Sequence, residues 1–496
     1  MSNKEKQIKN SFLYILPNIV SGLLPIVTLP VFTRILTVAD YGVYALASIY
    51  AILLSGIVNF GLTASYERNF FQYKDKEKTA ELLYSTLAFV LAGFLIATAI
   101  TYLFKKQIAK ILIGSAEYDV FLLWVFLATV IMSLKQYFLI YFKNTENAKD
   151  FIIYTIDESL IGVLLSLFFV VYMKTGIIGL AWGQLFASTT IFLALIMRFL
   201  KIMPFCFKWD ILKDSLKISL PLTPRIFIGV VSTQLNKLVL SLLNTLGGVG
   251  IFSIAQKIGN LTFVFMTAVQ NVFNPYVYKK MFSRSSSAGR EIGEYLTPFA
   301  YLSIFVCMLA SLFSQEAIWL FTGPSFYASA PLVSILSMYY GFLFFGKING
   351  IQLIFKKKTF FTSVLTFLDI GVGVAISIPF IMKFGVIGAA WATFLASIIT
   401  GSFAFLISQH YFRIQWEVRK IVAIFSLFCF SSLLTLFTIS GSFVYLQCLI
   451  LKLFCLGVYV YLGIRLNIIT SQNLALLWGI ATFKKIGDAV NLEIEE

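Results

Sequence analysis

With 496 residues, 59% of them hydrophobic and only 12% charged, the chain cannot clothe a water-soluble surface, which ordinarily carries about 25% charged residues. The formal net charge of +16 does not indicate nucleic acid, because the basic residues gather in short loops and form no single stripe or Arg-rich arm. Apolar runs recur from Phe12 to Gly463, each of roughly twenty residues and so able to cross about 30 Å of hydrocarbon as a helix. The fold class is therefore an all-α integral membrane protein.

The first ten residues carry Lys4, Lys6 and Lys9 and lead into an apolar segment with Pro17, Pro25 and Pro30. No small-residue cleavage site interrupts it, so it reads as a retained first span. About fourteen spans follow the hydropathy: 11–34, 42–64, 81–104, 120–142, 151–173, 177–199, 218–243, 249–273, 294–314, 330–355, 359–382, 386–410, 420–440 and 443–464. Numbering the loops alternately places 27 Lys and Arg on the side of the N-terminus and 6 on the other. Basic loops stay in the cytoplasm, so both termini are expected there.

An internal duplication organises the chain. Lys174 to Ser188 reads KTGIIGLAWGQLFAS and Lys383 to Ser397 reads KFGVIGAAWATFLAS, identical at eight of fifteen positions with an offset of 209. Such self-similarity marks a structural repeat. Each copy lies between the fifth and sixth spans of its half. Six spans is an even number, so the halves insert in the same orientation, as two pseudo-symmetric lobes. The expected organisation is an N-terminal six-helix lobe over 1–199, an amphipathic interfacial linker over 200–217, a C-terminal six-helix lobe over 218–410, two additional helices over 411–465 and a cytoplasmic tail over 466–496. The five scattered cysteines and the single His410 support neither a disulfide framework nor a metal site.

Six basic residues fall inside spans: Lys135, Arg225, Lys237, Lys257, Lys347 and Lys452. Each costs about 2.5–3.5 kcal/mol near the bilayer centre, so each should face protein or water. Acidic residues at that depth are fewer, namely Asp157, Glu158 and Asp369, so an inward cavity would be cationic and suit an anion. In the seventh span Arg225, Gly229, Ser232 and Asn236 share a helical face with Lys237 adjoining, and in the eighth Ser253, Lys257 and Asn260 do the same. The first two spans carry uncharged polar stripes with Asn18, Ser21, Pro25 and Thr28, then Ser48, Ser55 and Asn59. The bland reading of such stripes is polar glue between packed helices, and Lys135 and Lys347 near span ends could simply snorkel. Lys452 lies outside the repeats. Pro221 and Pro224 predict a broken helix beside Arg225. Asp369 is either a charge partner for a cation or an ion-coupling site. No GxxxxGK[ST] phosphate loop occurs, and no loop is long enough for a soluble catalytic domain, so neither an enzyme nor a cofactor is expected.

The segment LPVFTRILTVADYGVYALAS, Leu29 to Ser48, resembles the N-terminal signature of the polysaccharide-biosynthesis, or O-antigen, flippases of the wider MATE-like exporter superfamily. The opening of the second lobe and the GxxGxAW elements, Gly176 to Trp182 and Gly385 to Trp391, are similar too. One position departs: family members commonly carry an Asp-Arg pair where this chain has Asn236 and Lys237. The resemblance implies a flippase of a bacterial cytoplasmic membrane. It would move undecaprenyl-pyrophosphate-linked oligosaccharide from inner to outer leaflet by alternating access, for O-antigen, capsule or exopolysaccharide assembly, with membrane lipid and polysaccharide polymerase or assembly proteins as further partners. Arg225 and Lys257, then Lys237, with Lys347 and Lys135 behind them, would meet the pyrophosphate; Asp369, Asp157 and Glu158 would couple an ion or pair charges. Three other readings fit the pattern: a MATE-type ion-coupled exporter, whose cationic drugs would favour an acidic cavity, a peptidoglycan-precursor flippase, and a membrane scaffold of a polymerase complex.

Overall fold

A computed structural model of the protein describes residues 16–73, 75–243, 245–283, 285–441 and 444–470. The N-terminal basic run and the expected tail from 471 onward lie outside the described residues, as do the side chains of Asn18 and Arg225.

Among the described residues the secondary structure is helical. The first half comprises α1 (Leu16–Val27), α2 (Leu29–Ile35), α3 (Val38–Val58), α4 (Leu62–Phe70), α5 (Lys76–Leu112), α6 (Asp119–Asn144), α7 (Ala148–Leu167) and α8 (Ile178–Ile202). After the connecting helix α9 (Trp209–Ser219) come α10 (Thr223–Leu243), α11 (Leu246–Phe282), α12 (Ala288–Leu312), α13 (Ser314–Phe321), α14 (Ala330–Phe355) and α15 (Thr359–Tyr411). Two further helices close the order, α16 (Val418–Ser440) and α17 (Tyr445–Arg465). Twelve helical stretches among the described residues are long and apolar enough to cross a membrane. One of them, α15, is two helices folded back at Gly385, since Thr400 Oγ1 donates to Asp369 Oδ1 at 3.1 Å and the Phe361 and Tyr411 rings lie 5.4 Å apart. With α15 counted twice and the proline-broken α1–α2 pair counted once, the expected number of about fourteen is met.

The boundaries differ from the hydropathy reading where a helix outlasts its apolar run. The 37 residues of α5 rise about 55 Å, well beyond the predicted 81–104, and carry Lys105, Lys106 and Lys110 on their extension. The predicted break near Arg225 is present: the chain passes from α9 through a single 3-10 turn, Leu220–Leu222, into α10, with Pro221 in the turn.

The repeated GxxGxAW motif has a steric cause. Gly176 and Gly385, equivalent under the offset of 209, both adopt left-handed φ angles of 63° and 59°, which glycine takes without the Cβ penalty. Three residues on, a Cβ on Gly388 would lie 2.0 Å from the Phe380 carbonyl oxygen. We expect Gly385→Ala to cost about 1–3 kcal/mol of stability, read as a fall in the thermal unfolding midpoint of the purified protein.

The two halves meet where α3 and α11 cross at their N-terminal ends. A Cβ on Gly42 would lie 1.9 Å from the Leu246 carbonyl oxygen, and one on Gly250 would lie 2.0 Å from that of Val38. These helices touch backbone to backbone. The start of α3 is fixed by a capping box in which the Asp40 N–H donates to Thr37 Oγ1 (3.1 Å) and the Thr37 N–H donates to Asp40 Oδ2 (2.8 Å). Nearby, the Gly323 N–H donates to Thr33 Oγ1 at 2.9 Å and the Tyr41 ring meets Phe326 edge-on at 5.2 Å. This face, opposite the basic one, is closed.

At the chain's end, α17 is tied to α13 through Lys452, whose Nζ donates to both Glu316 oxygens at 2.6 and 2.8 Å. That intramembrane lysine is neutralised by a structural partner.

Candidate functional site

Behind the closed joint, α3, α10 and α11 enclose a cavity of about 300 Å³. Tyr41, Tyr44 and Ser48 enter it from α3, Gln234 and Lys237 from α10, and Ser253, Gln256, Lys257 and Asn260 from α11. The i, i+3 and i+4 spacing on each helix turns these side chains to one face. Among the described residues no carboxylate lines the cavity. The Lys257 ammonium sits 5.3 Å from the Tyr41 ring centroid and 5.8 Å from that of Tyr44, a cation–π arrangement worth about 2 kcal/mol when desolvated. Neither Lys237 nor Lys257 makes an ion pair among the described residues. Two like charges in a poorly screened space create a positive potential that an anion would relieve.

The other predicted residues divide by what they touch. Lys135 forms a buried ion pair with Glu158, which also accepts from Ser188 Oγ at 2.9 Å; these three groups join α6, α7 and α8, away from the cavity. Lys347 lies over the Phe263 ring, 4.7 Å from its centroid. Asp157 is exposed on the outer side of α7. Ser21 bonds Ser159 and Ser55 bonds Ser133, each at 2.7 Å, and Tyr137 donates to Asn59 Oδ1 at 2.5 Å. Thr28 donates to carbonyls of its own turn. Ser21, Ser55 and Asn59 thus act as glue between helices rather than as cavity lining, because their hydroxyl and amide groups are taken by neighbouring helices. In the second half Ser232 Oγ donates to Asp369 Oδ2 at 2.5 Å, Asn236 Nδ2 donates to Thr393 Oγ1 at 2.8 Å, and Ser377 Oγ donates to Asn236 Oδ1. Ser232 and Asn236 thus face α15 and not the cavity. Asp369 has no basic partner among the described residues and is held by two hydroxyls. Of the residues singled out in the sequence, Ser48, Lys237, Ser253, Lys257 and Asn260 are the ones brought together; Tyr41, Tyr44, Gln234 and Gln256 were not among those predicted.

The described residues form a multi-pass helical bundle of two halves around a charged interior. The family model described as "Polysaccharide biosynthesis protein" matches residues 8–281, more than half of the chain. The chain belongs to that family. No curated protein matches it. Among solved structures it is similar to the lipid II flippase MurJ in its inward closed conformation, with 17% identity, coverage of 92% of this chain and 99% of that one, and a TM-score of 0.68. An inward-facing multidrug resistance MATE family transporter of the MOP superfamily matches with 16% identity over 80% of this chain and 94% of that one, with a TM-score of 0.64. The Vibrio cholerae MATE transporter VcmN in the bent form matches with 14% identity over 82% and 97%, with a TM-score of 0.57. At such identities the likeness is one of fold.

Proposed function

We propose that this protein translocates an undecaprenyl-pyrophosphate-linked oligosaccharide from the cytoplasmic to the outer leaflet of a bacterial cytoplasmic membrane, for O-antigen, capsule or exopolysaccharide assembly. The observation that carries this reading is the cavity holding Lys237 and Lys257 with no carboxylate in its lining among the described residues. Charge-assisted hydrogen bonds from lysine to phosphate oxygens are about twice as strong as neutral ones, whereas an organic cation would be repelled from the same space. Asn260, Gln234 and Gln256 offer donors and acceptors to sugar hydroxyls, and Tyr41 and Tyr44 offer rings to sugar faces. The polyprenyl tail stays in lipid beside the opening. Family membership supports the polysaccharide context, and the solved lipid II flippase of the same fold supports a lipid-linked substrate.

The basic face is cytoplasmic in this reading, with both termini there, and the two lobes rock about the α3–α11 joint. Asp369 with Ser232 and Thr400 forms a set of oxygen donors of the kind that suits a hard cation or a proton, which would drive return of the empty carrier. The test is leaflet-resolved accessibility of a labelled polyprenyl-pyrophosphate oligosaccharide in proteoliposomes. The parent should translocate it, and Lys237→Gln with Lys257→Gln should slow translocation by roughly a hundredfold or more, given about 1.5–3 kcal/mol per charged hydrogen bond. A folded double variant that retains full rate would show that these two lysines do not hold the pyrophosphate, and a folded parent that moves no lipid would favour export of a soluble molecule or the scaffold reading.

A further inference from the structure

A second cavity, of about 520 Å³, opens on the basic face of the second half, between the ends of α11, α14 and α15 and the start of α12. Among the described residues its walls carry three cations, Lys356, Lys357 and Arg413, three rings, Phe282, Phe355 and Phe412, and the Ser285 and Ser286 hydroxyls. Among the described residues no acidic residue lines it, and none of the three cations makes an ion pair. The rings pack against one another, Phe282 to Phe355 at 4.8 Å and Phe355 to Phe412 at 5.6 Å. The Lys356 ammonium rests 5.5 Å from the Phe355 centroid and 5.9 Å from that of Phe412. The far wall is pinned: buried Gln352 donates from Nε2 to the Phe412 carbonyl at 2.7 Å, and the Gln415 N–H donates to the Gly289 carbonyl at 3.0 Å.

The lysines are not demanded by the turn that bears them. The corresponding turn of the first half, Thr145 to Asn147, has the same backbone. Glu146 and Lys357 have φ angles of 55° and 56°. The Asn147 N–H donates to the Phe142 carbonyl and the Lys358 N–H to that of Leu353, each at 2.9 Å. One copy therefore carries threonine, glutamate and asparagine where the other carries three lysines. The fold accepts a carboxylate at this place, and the second half presents cations there instead.

We propose that this cavity binds the phosphate group of an anionic membrane phospholipid of the leaflet on the basic face. The phosphodiester would take hydrogen bonds from Lys357, Arg413 and the serine hydroxyls, while the rings at the helix ends receive the glycerol and upper acyl carbons. A soluble phosphate ester shares the anion but not the apolar part, and the aromatic wall favours the lipid. The site is separate from the Lys237–Lys257 cavity and does not depend on the transport reading.

The test is native mass spectrometry of the full chain released from detergent with phosphatidylglycerol, phosphatidylcholine or glycerol phosphate added. Phosphatidylglycerol should be retained in preference to both, and Lys356→Ala, Lys357→Ala, Arg413→Ala together should weaken retention roughly tenfold or more, the loss expected for one charged hydrogen bond or above. Lys213→Ala with Lys217→Ala, exposed on α9, should leave it unchanged, and Lys356→Arg with Lys357→Arg should preserve it. Equal retention of phosphatidylcholine by the parent, or undiminished phosphatidylglycerol retention by the triple variant, overturns the proposal. Glycerol phosphate binding as tightly as the lipid overturns it in favour of a soluble ligand.

Discussion

Glu158→Gln should destabilise the protein by about 3–5 kcal/mol, the cost of leaving one member of a buried pair without its partner. Lys135 is 4% exposed and Glu158 7%, so neither can be rescued by water, and the lysine stem is too enclosed to reach the membrane surface. The measurement is thermal unfolding of the purified protein in detergent. A companion variant, Lys135→Met with Glu158→Leu, removes both charges and fills similar volume, and it should lie much nearer the parent. A Glu158→Gln protein as stable as the parent would show that the pair contributes nothing and that Lys135 finds another neighbour.

Gly250→Leu should open the face that is closed here. The new Cβ would lie 2.0 Å from a main-chain carbonyl, and main chain cannot swing aside as a flexible side-chain tip would. Overpacking of this kind costs about 1–3 kcal/mol. The closed state alone bears that cost, so the balance between states should move by roughly fivefold to a hundredfold. Labelling of Ser48→Cys, in a background lacking the five native cysteines, by a membrane-impermeant thiol reagent added on the side opposite the basic face would report it. The labelling rate should rise in the Gly250→Leu protein, and an unchanged rate would mean that the joint does not gate the cavity.

Residues show why some of the site was legible and some was not. Lys237 and Lys257 stand out because a lysine inside an apolar run has no inexpensive explanation, and the eighth-span face of Ser253, Lys257 and Asn260 follows from helical spacing alone. Asn236 and Lys237 are neighbours in sequence and so point about 100° apart. One faces Thr393 and the other faces the cavity, a division that a single polar stripe conceals. Tyr41 and Tyr44 were lost among 51 Phe and 24 Tyr, most of which a membrane protein spends on lipid and packing, although Tyr41, Tyr44 and Ser48 are spaced along one face. The Lys135–Glu158 pair depends on how three spans pack, information that no single span contains. The duplicated GxxGxAW motif was visible as identity, but its cause, a left-handed glycine at each hairpin, needed backbone angles.

That Lys237 and Lys257 have no ion-pair partner among the described residues has an electrical consequence for the proposed cycle. A charge carried across the whole field of a membrane exchanges about 2.3 kcal/mol per 100 mV. In a cell whose interior is negative, an empty carrier turning from its outward to its inward form would move two uncompensated positive charges downhill, to the extent that they traverse the field. Bound pyrophosphate would cancel that charge on the loaded stroke. Voltage would then pull the machine back to its loading position and leave delivery almost untouched, so that the membrane potential rectifies the cycle.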